Sequence, residues 1–290
     1  MITVQSPATS ANCCVGFDSL GLALDWKSAI SFEPADDLVI TGCPPEYCTK
    51  DNLVYQAFVL AAETSGLEVP GIHIHIDSDI PFARGLGSSS QCIAAGLLGA
   101  DALLSLGLGD ERLLALATSL EGHPDNAAPA LFGGLCVCVT EGGRILQTKL
   151  EAGGWKVLLV IPPYEVSTSE ARKVLPACVS LHEAAMQAGR AMLFEHAWVH
   201  KDDELLYEAC KDVLHEPSRS KLIKEYPAMK ALSDTHHLPF WISGSGSTMA
   251  FVSQDEKRLR ELKKQIDESG ADVKTVLCRA SSAGAQVVYG

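Results

Sequence analysis

The spacing of apolar and polar positions changes period several times along the chain, and each change predicts an element. Ile72-His73-Ile74-His75-Ile76 alternates strictly, with isoleucine on one face, as a half-buried strand does. The run from about 89 to 106 is apolar nearly all round (Ile93, Leu97, Leu98, Leu103, Leu104), which predicts a buried helix. Helical spacing also marks 52–66, opened by Asp51-Asn52, and 111–120, where Asp110 is placed to cap. Asn52 is read as a helix cap, with contact to a nucleotide base as its alternative. Short strands are predicted at 3–6, 28–32 and 38–41, the last two as a pair about a Pro34–Asp37 turn. A hairpin at 135–140 and 145–148 turns about Glu141-Gly142-Gly143, with Cys136 and Cys138 on one face.

Glu151-Ala152-Gly153-Gly154 reads as a linker, so the 290 residues divide into domains at 1–153 and 154–290. The second half predicts a strand at 155–161, a capped helix start at Ser167–Arg172, and helices at 182–200, 203–214 and 219–225. Strands at 240–243 and 249–252 flank a glycine loop, Gly244-Ser245-Gly246-Ser247. A charged helix at 255–269 follows, and strands at 272–278 and 285–289 are expected to close a sheet. This order is α+β.

Between the alternating strand and the buried helix lies Pro81-Phe82-Ala83-Arg84-Gly85-Leu86-Gly87-Ser88-Ser89-Ser90-Gln91. Gly85 and Gly87 can take the positive φ of a turn that converges backbone N–H groups on one anion. The serines stand where the helix begins, so they can cap it while its N-terminal dipole faces the same anion. Plain capping is the alternative to phosphate binding. No Gly-Lys-Ser/Thr follows, and a third glycine is missing, which excludes the Walker and dinucleotide loops. Glu121-Gly122-His123-Pro124-Asp125-Asn126 gathers two carboxylates, an imidazole and an amide. Beside a phosphate loop, a carboxylate and a hydroxyl suit Mg²⁺, which prefers hard oxygens and few protein ligands; a solvated turn is the alternative. Pro7–Asn12 and Gly16–Asp18 form a polar loop unusually early in the chain.

A net charge of −13 with scattered lysines and arginines excludes a nucleic-acid face, so an anionic ligand must be held by local geometry. The ten cysteines include no Cys-x-x-Cys pair and read as reduced, buried small hydrophobes. The opening Met1-Ile2-Thr3-Val4 reads as lacking a secretory leader, and no apolar run reaches membrane-spanning length, so a cytoplasmic protein without membrane partners is expected.

Taken in order, Pro7-Ala8-Thr9-Ser10-Ala11-Asn12, Gly16-Phe17-Asp18-Ser19-Leu20-Gly21, the Arg84–Ser89 loop and Glu121–Asn126 resemble the GHMP kinases, the superfamily of galactokinase, homoserine, mevalonate and phosphomevalonate kinases. Glu170–Pro176, Glu216-Pro217-Ser218-Arg219 and Gly244-Ser245-Gly246 extend the likeness to about Val252, nearest to the homoserine-phosphorylating branch. The resemblance implies an N-terminal domain like domain 2 of ribosomal protein S5, a C-terminal ferredoxin-like domain, and ATP between them. It implies that Pro81 to Gln91 bind ATP, that Ser89 and Glu121 hold Mg²⁺, and that Asn12, Asp18, His123, Asn126, Arg172 and Arg219 hold the amino acid. Thr168 would lie near the transferred phosphoryl group. Phosphorylation of the homoserine hydroxyl, a step toward threonine, is the implied reaction, with a homodimer as the family expectation.

The residue types suit that chemistry. A guanidinium, Arg172 or Arg219, matches an α-carboxylate, and Asp18 matches an ammonium. Alignment and charge neutralisation can carry phosphoryl transfer without a strong base, so Asn126 is expected to position the hydroxyl, with His123 as base the alternative. Cys13-Cys14 replaces the family's usual Leu-Gly, Ser247 replaces a proline, and Glu121 is matched across a gap. A kinase for another small alcohol, or a catalytically silent ATP-binding regulator, are the competing readings.

Overall fold

A computed structural model describes residues 1–290. The chain opens with β1 (Ile2–Ala11), β2 (Leu20–Pro34) and β3 (Val39–Thr41). Helix α1 (Leu53–Thr64) follows, and Asn52 caps it, its Oδ1 accepting from the Val54 N–H at 2.9 Å. Next come β4 (Ile72–Asp77), α2 (Ser88–Leu104), α3 (Asp110–Glu121), α4 (Pro124–Phe132) and the hairpin β5 (Leu135–Glu141) and β6 (Arg144–Leu150). The second half holds β7 (Lys156–Ile161), α5 (Thr168–Lys173), α6 (Leu181–His200), α7 (Asp203–Ala209), α8 (Glu216–Arg219) and α9 (Tyr226–His236). It ends with β8 (Phe240–Ile242), β9 (Met249–Ser253), α10 (Glu256–Glu268), β10 (Lys274–Arg279) and β11 (Gln286–Tyr289). None of these helices is long and apolar enough to cross a membrane.

A seven-stranded sheet runs β11-β1-β2-β4-β3, with β5 and β6 joined to the near end of β2. The expected strand at 28–32 is only the far part of β2, because β2 serves two neighbours: Leu20–Leu22 pairs with β5 and Ala29–Pro34 with β4. The isoleucines of β4 pack with α1 to α4 into one core. That ladder takes the inner position, so β3 does not pair with β2 as expected but lies parallel to β4 at the sheet edge. Its three residues, with Val39 exposed, suit an edge.

The four-stranded second sheet, β10-β7-β9-β8, is antiparallel throughout. One face packs on α9 and α10 through Met229, Leu259, Leu262 and Ile266. The other joins Trp155, Phe194, Trp198 and Trp241 to Ala8, Leu22, Leu24 and Leu135 from the first half, a single core shared by both. Trp155 stacks on Trp198 and donates Nε1–H to the Trp198 carbonyl at 3.1 Å.

Two helical expectations change, and one helix forms where the sequence assigned no element. Residues 124–132 form α4, because Pro124 occupies the helix start that tolerates it and alanines follow. Helix 203–214 stops at Ala209: the Asp212 carboxylate takes the N–H groups of Leu214, His215 and Glu216 and starts α8 instead. A helix at 219–225 is absent; a 3₁₀ turn at Ser220–Leu222 leads to α9, with Pro227 in its first turn. The C-terminus differs as well. β11 leaves the second sheet and pairs with β1, so the division at 154–290 does not hold for the last residues. Gly284 makes this return possible, since a Cβ there would lie 2.2 Å from the Leu131 carbonyl oxygen.

Gly284→Ala is therefore expected to lower stability by about 1–3 kcal/mol, the usual cost of overpacking against a backbone that cannot move aside. Gly189→Ala, mid-helix in α6 with open space around it, is expected to raise stability by about 0.5–1 kcal/mol. Urea denaturation of both variants checks the opposite signs.

Candidate functional site

The loop before α2 is shaped by its two left-handed glycines, Gly85 at φ 74° and Gly87 at φ 64°. Gly87, not a serine, caps α2, and no side chain bonds to the free N–H groups of the first turn. Those donors stay available to an anion at the positive end of the helix. Of the three serines, Ser89 points away from capping and donates its hydroxyl to Glu121 Oε1 at 2.7 Å.

The second glycine loop holds the first in place. A Cβ on Gly85 would lie 2.1 Å from the Ser243 carbonyl oxygen and 2.9 Å from that of Gly246, so only glycine permits this approach. Ser243 Oγ donates to the Gly85 carbonyl at 2.6 Å, and the Thr248 N–H donates to the Arg84 carbonyl at 3.1 Å. Behind them, Trp241 Nε1–H donates to Ser10 Oγ at 3.0 Å, and Ser10 Oγ lies 2.8 Å from Ser243 Oγ.

These loops border a cleft of about 350 Å³ between the two halves. Of the residues expected to meet ATP, Ala83, Gly85, Gly87, Ser88 and Ser89 line it. Pro81, Phe82, Arg84, Leu86, Ser90 and Gln91 do not line it. Leu86, Ser90 and Gln91 are buried, Phe82 stacks on Tyr47, and Arg84 bonds the Pro163 carbonyl at 2.9 Å and Glu165 at 3.2 Å. Glu121, His123, Asn126 and Thr168 all line the cleft, as do Asn12, Asp18, Arg172 and Arg219. Ser167, which forms a capping box with Glu170, places Thr168 at the start of α5.

The polar groups at the far end are tightly arranged. Arg172 grips Asp18 through two bonds of 2.7 and 3.2 Å, so the candidate cation and anion neutralise each other. Arg219, almost fully buried, bonds the carbonyls of Ala171 at 3.3 Å and Gly244 at 3.1 Å. Both guanidiniums lie over the Phe17 ring, 5.7 and 5.1 Å from its centre, and Phe17 stacks on buried His215. Asn12 is committed within the protein: Oδ1 accepts from the Asp18 N–H at 3.1 Å, and Nδ2 donates to Gly244 at 2.8 Å. It thereby holds Asp18 in its left-handed conformation, φ 55°.

Asn12, Cys13 and Cys14 are themselves left-handed, at φ 69°, 41° and 65°, an uncommon run for residues with a Cβ. Surrounding bonds impose it. The Asn12 N–H donates to Leu20 at 2.7 Å, and the Cys14 carbonyl lies 2.7 Å from His215 Nε2. At Cys14, where the resembled family usually has glycine, a residue with a Cβ therefore holds a left-handed conformation at a cost in strain.

Burial dominates the titration of the site. It pushes the Glu121 carboxyl up, partly offset by the Ser89 hydroxyl. It pushes the His123 imidazole down, aided by the Arg172 charge, which favours the neutral ring. Asp125, counted in the sequence among the motif's two carboxylates but given no role of its own, also lines the cleft and is 4% exposed. Burial, then the Asp18 charge, raises its carboxyl to about 7, and its Oδ1 has no hydrogen-bond partner. The signal that could have found it was its place between His123 and Asn126 at the start of a helix.

Comparison with known proteins bears on this geometry. The family model for the GHMP kinases N terminal domain matches residues 52–134. Homoserine kinase of Clostridium beijerinckii is 38% identical over 296 aligned positions that cover all of this chain and 99% of that protein. A crystal structure of homoserine kinase from Cytophaga hutchinsonii superposes with a TM-score of 0.87 at 28% identity, covering 99% of this chain and 97% of that one. A crystal structure of mevalonate kinase shares the fold alone, with a TM-score of 0.73 at 14% identity over 96% of this chain and 99% of that one.

The raised carboxyls have a thermodynamic sign. A carboxyl whose folded pKa lies above its unfolded value of about 4 binds more protons when folded, so its ionisation removes stability as pH rises through that window. For Asp125 the window runs up to about 7, and for buried Glu216 up to about 8. Asp125→Asn is expected to flatten the fall in urea midpoint between roughly pH 4 and 7. An unchanged slope would show that Asp125 does not titrate in that range.

Proposed function

The chain belongs to the homoserine kinases of the GHMP superfamily, and from that premise we propose that its cleft transfers the terminal phosphoryl group of ATP to the side-chain hydroxyl of L-homoserine, yielding O-phospho-L-homoserine for threonine synthesis. ATP use follows from the family. The observation that carries the substrate assignment is the Asp18–Arg172 pair, reinforced by Arg219 and lining the same cleft as Asn126 and His123.

A zwitterionic amino acid suits such a pair. Its ammonium adds a positive charge beside Asp18 and its carboxylate a negative charge beside Arg172, so the ligand extends an alternating array of charges. Because Asp18 and Arg172 already compensate each other, neither is left as an isolated charge in a partly closed cleft. Phe17 holds both guanidiniums on one side, which sets their separation.

At the other end, the first-turn N–H groups of α2 and the Gly85–Gly87 turn receive the phosphates. Ser89 Oγ and Glu121 Oε1, already in contact, form a hard-oxygen pair suited to Mg²⁺. When bound, that ion neutralises phosphate charge. Asn126 positions the acceptor hydroxyl, neutral His123 serves as a further hydrogen-bond partner, and Thr168 stands near the transferred group. Positioning and charge compensation then carry the rate, as a loose phosphoryl-transfer transition state permits.

Coupled ADP release with L-homoserine, L-serine, L-threonine and mevalonate offered separately tests the substrate, with homoserine expected to be strongly preferred. Turnover of another alcohol in its place would sink the assignment. Arg172→Ala is expected to raise the homoserine KM about 100-fold, the equivalent of a charge-assisted bidentate contact, and to leave the KM for ATP within about twofold. Glu121→Gln is expected to shift the Mg²⁺ concentration for half-maximal activity upward by about tenfold; an unmoved Mg²⁺ titration would remove Glu121 from the metal site.

A further inference from the structure

Thr9 lies beneath the cleft, fully buried, and is not among the residues that line it. It sits where the pairing of β1 with β2 changes register: Pro7 faces Lys27, whereas Thr9 faces Ala23. Such irregularities re-aim side chains, and they recur beside functional sites. Here the Thr9 hydroxyl donates to Asn126 Oδ1 at 2.7 Å. Its backbone N–H donates to the Leu86 carbonyl at 3.1 Å, inside the phosphate loop. A Cβ on Gly87 would lie 1.8 Å from Thr9 Oγ1 and 3.1 Å from Asn126 Oδ1, so the hydroxyl fills the space that this glycine leaves open.

We propose that Thr9 is a positioning residue for phosphoryl transfer, tying the phosphate loop and Asn126 to one anchor and fixing which end of the Asn126 amide faces the acceptor hydroxyl. This rests on the reading that Asn126 meets that hydroxyl. With Oδ1 engaged by Thr9, the NH₂ end of the amide is turned to the cleft. That end only donates, so Asn126 engages one lone pair of the hydroxyl oxygen and leaves another to attack the phosphorus; as the new O–P bond forms and the bond to ADP breaks, the hydroxyl proton passes to an oxygen of the transferred phosphoryl group and not to Asn126.

Donor and acceptor alignment is thereby set by one side chain touching neither. The Leu86 carbonyl and Gly87 belong to the turn that starts α2, and Asn126 belongs to the first turn of α4. A shift of about 1 Å between them is enough to cost 100-fold in rate. Thr9 spans that gap with one hydrogen bond from its backbone and one from its side chain.

The test is a double-mutant cycle read as kcat, homoserine KM and ATP KM separately. Thr9→Val, nearly isosteric, is expected to lower kcat about 10- to 100-fold with both KM values within about threefold. Thr9→Ser is expected to restore most of the turnover, because it returns the hydroxyl. In an Asn126→Ala background, Thr9→Val is expected to have little further effect, since the group it orients is gone. Equal losses in both backgrounds, or full activity of Thr9→Val while Asn126→Ala is impaired, overturn the role of Thr9. Full activity of Asn126→Ala instead overturns the reading of Asn126 itself, and with it this proposal. Urea midpoints of each variant separate lost alignment from lost folding.

Discussion

The site depends on one close approach, that of Gly85 to the Ser243 carbonyl oxygen. A turn that wraps an anion has few apolar contacts of its own, so its shape must be imposed from outside. Here the imposing surface is the glycine loop of the other half, reached through Ser243, Ser10 and Trp241. Phosphate loop, strand β1 and second sheet are consequently held in one hydrogen-bonded block. The shared core around Trp155 and Trp198 sits behind that block and keeps the halves at the separation it requires.

Charge is handled by the same logic of mutual constraint. Asp18 and Arg172 are paired with each other, Arg219 with backbone carbonyls, and both arginines rest on Phe17. Such a site needs little rearrangement on binding, since its charges already have orientation. Uncompensated burial falls instead on Glu121, Asp125 and Glu216, whose carboxyls are pushed toward the neutral form. Of these, Glu121 accepts a hydrogen bond from the Ser89 hydroxyl.

Much of this was legible in the residues. The strict alternation at 72–76 and the apolar run of α2 located the strand and helix around the phosphate loop, because burial on one face or all faces leaves a period. The polar motifs located the cleft residues. What the sequence did not show was how far each polar side chain reaches. Asn12 turned out to brace Asp18, and six of the eleven residues from Pro81 to Gln91 do not line the cleft. The misplaced elements share a cause. Partnership of β3 with β4, and of β11 with β1, is set by which strands need the sheet interior, which no local pattern records. In α7 to α9, the Asp212 side chain competes for backbone donors that helical spacing alone would leave to a longer helix.

The return of β11 makes the second half an insert between two strands of one sheet. It is tethered twice, by the segment around 151–155 and by that from Ala280 to Ala285, where Ser281 bonds Ala23 and Ala285 bonds Ala130. The two ends of the polypeptide meet, with Gly290 against the Met1 side chain. The second half therefore cannot be lost or displaced by cutting one connection: two crossings of the chain and the shared core hold it, and the two glycine loops keep one register.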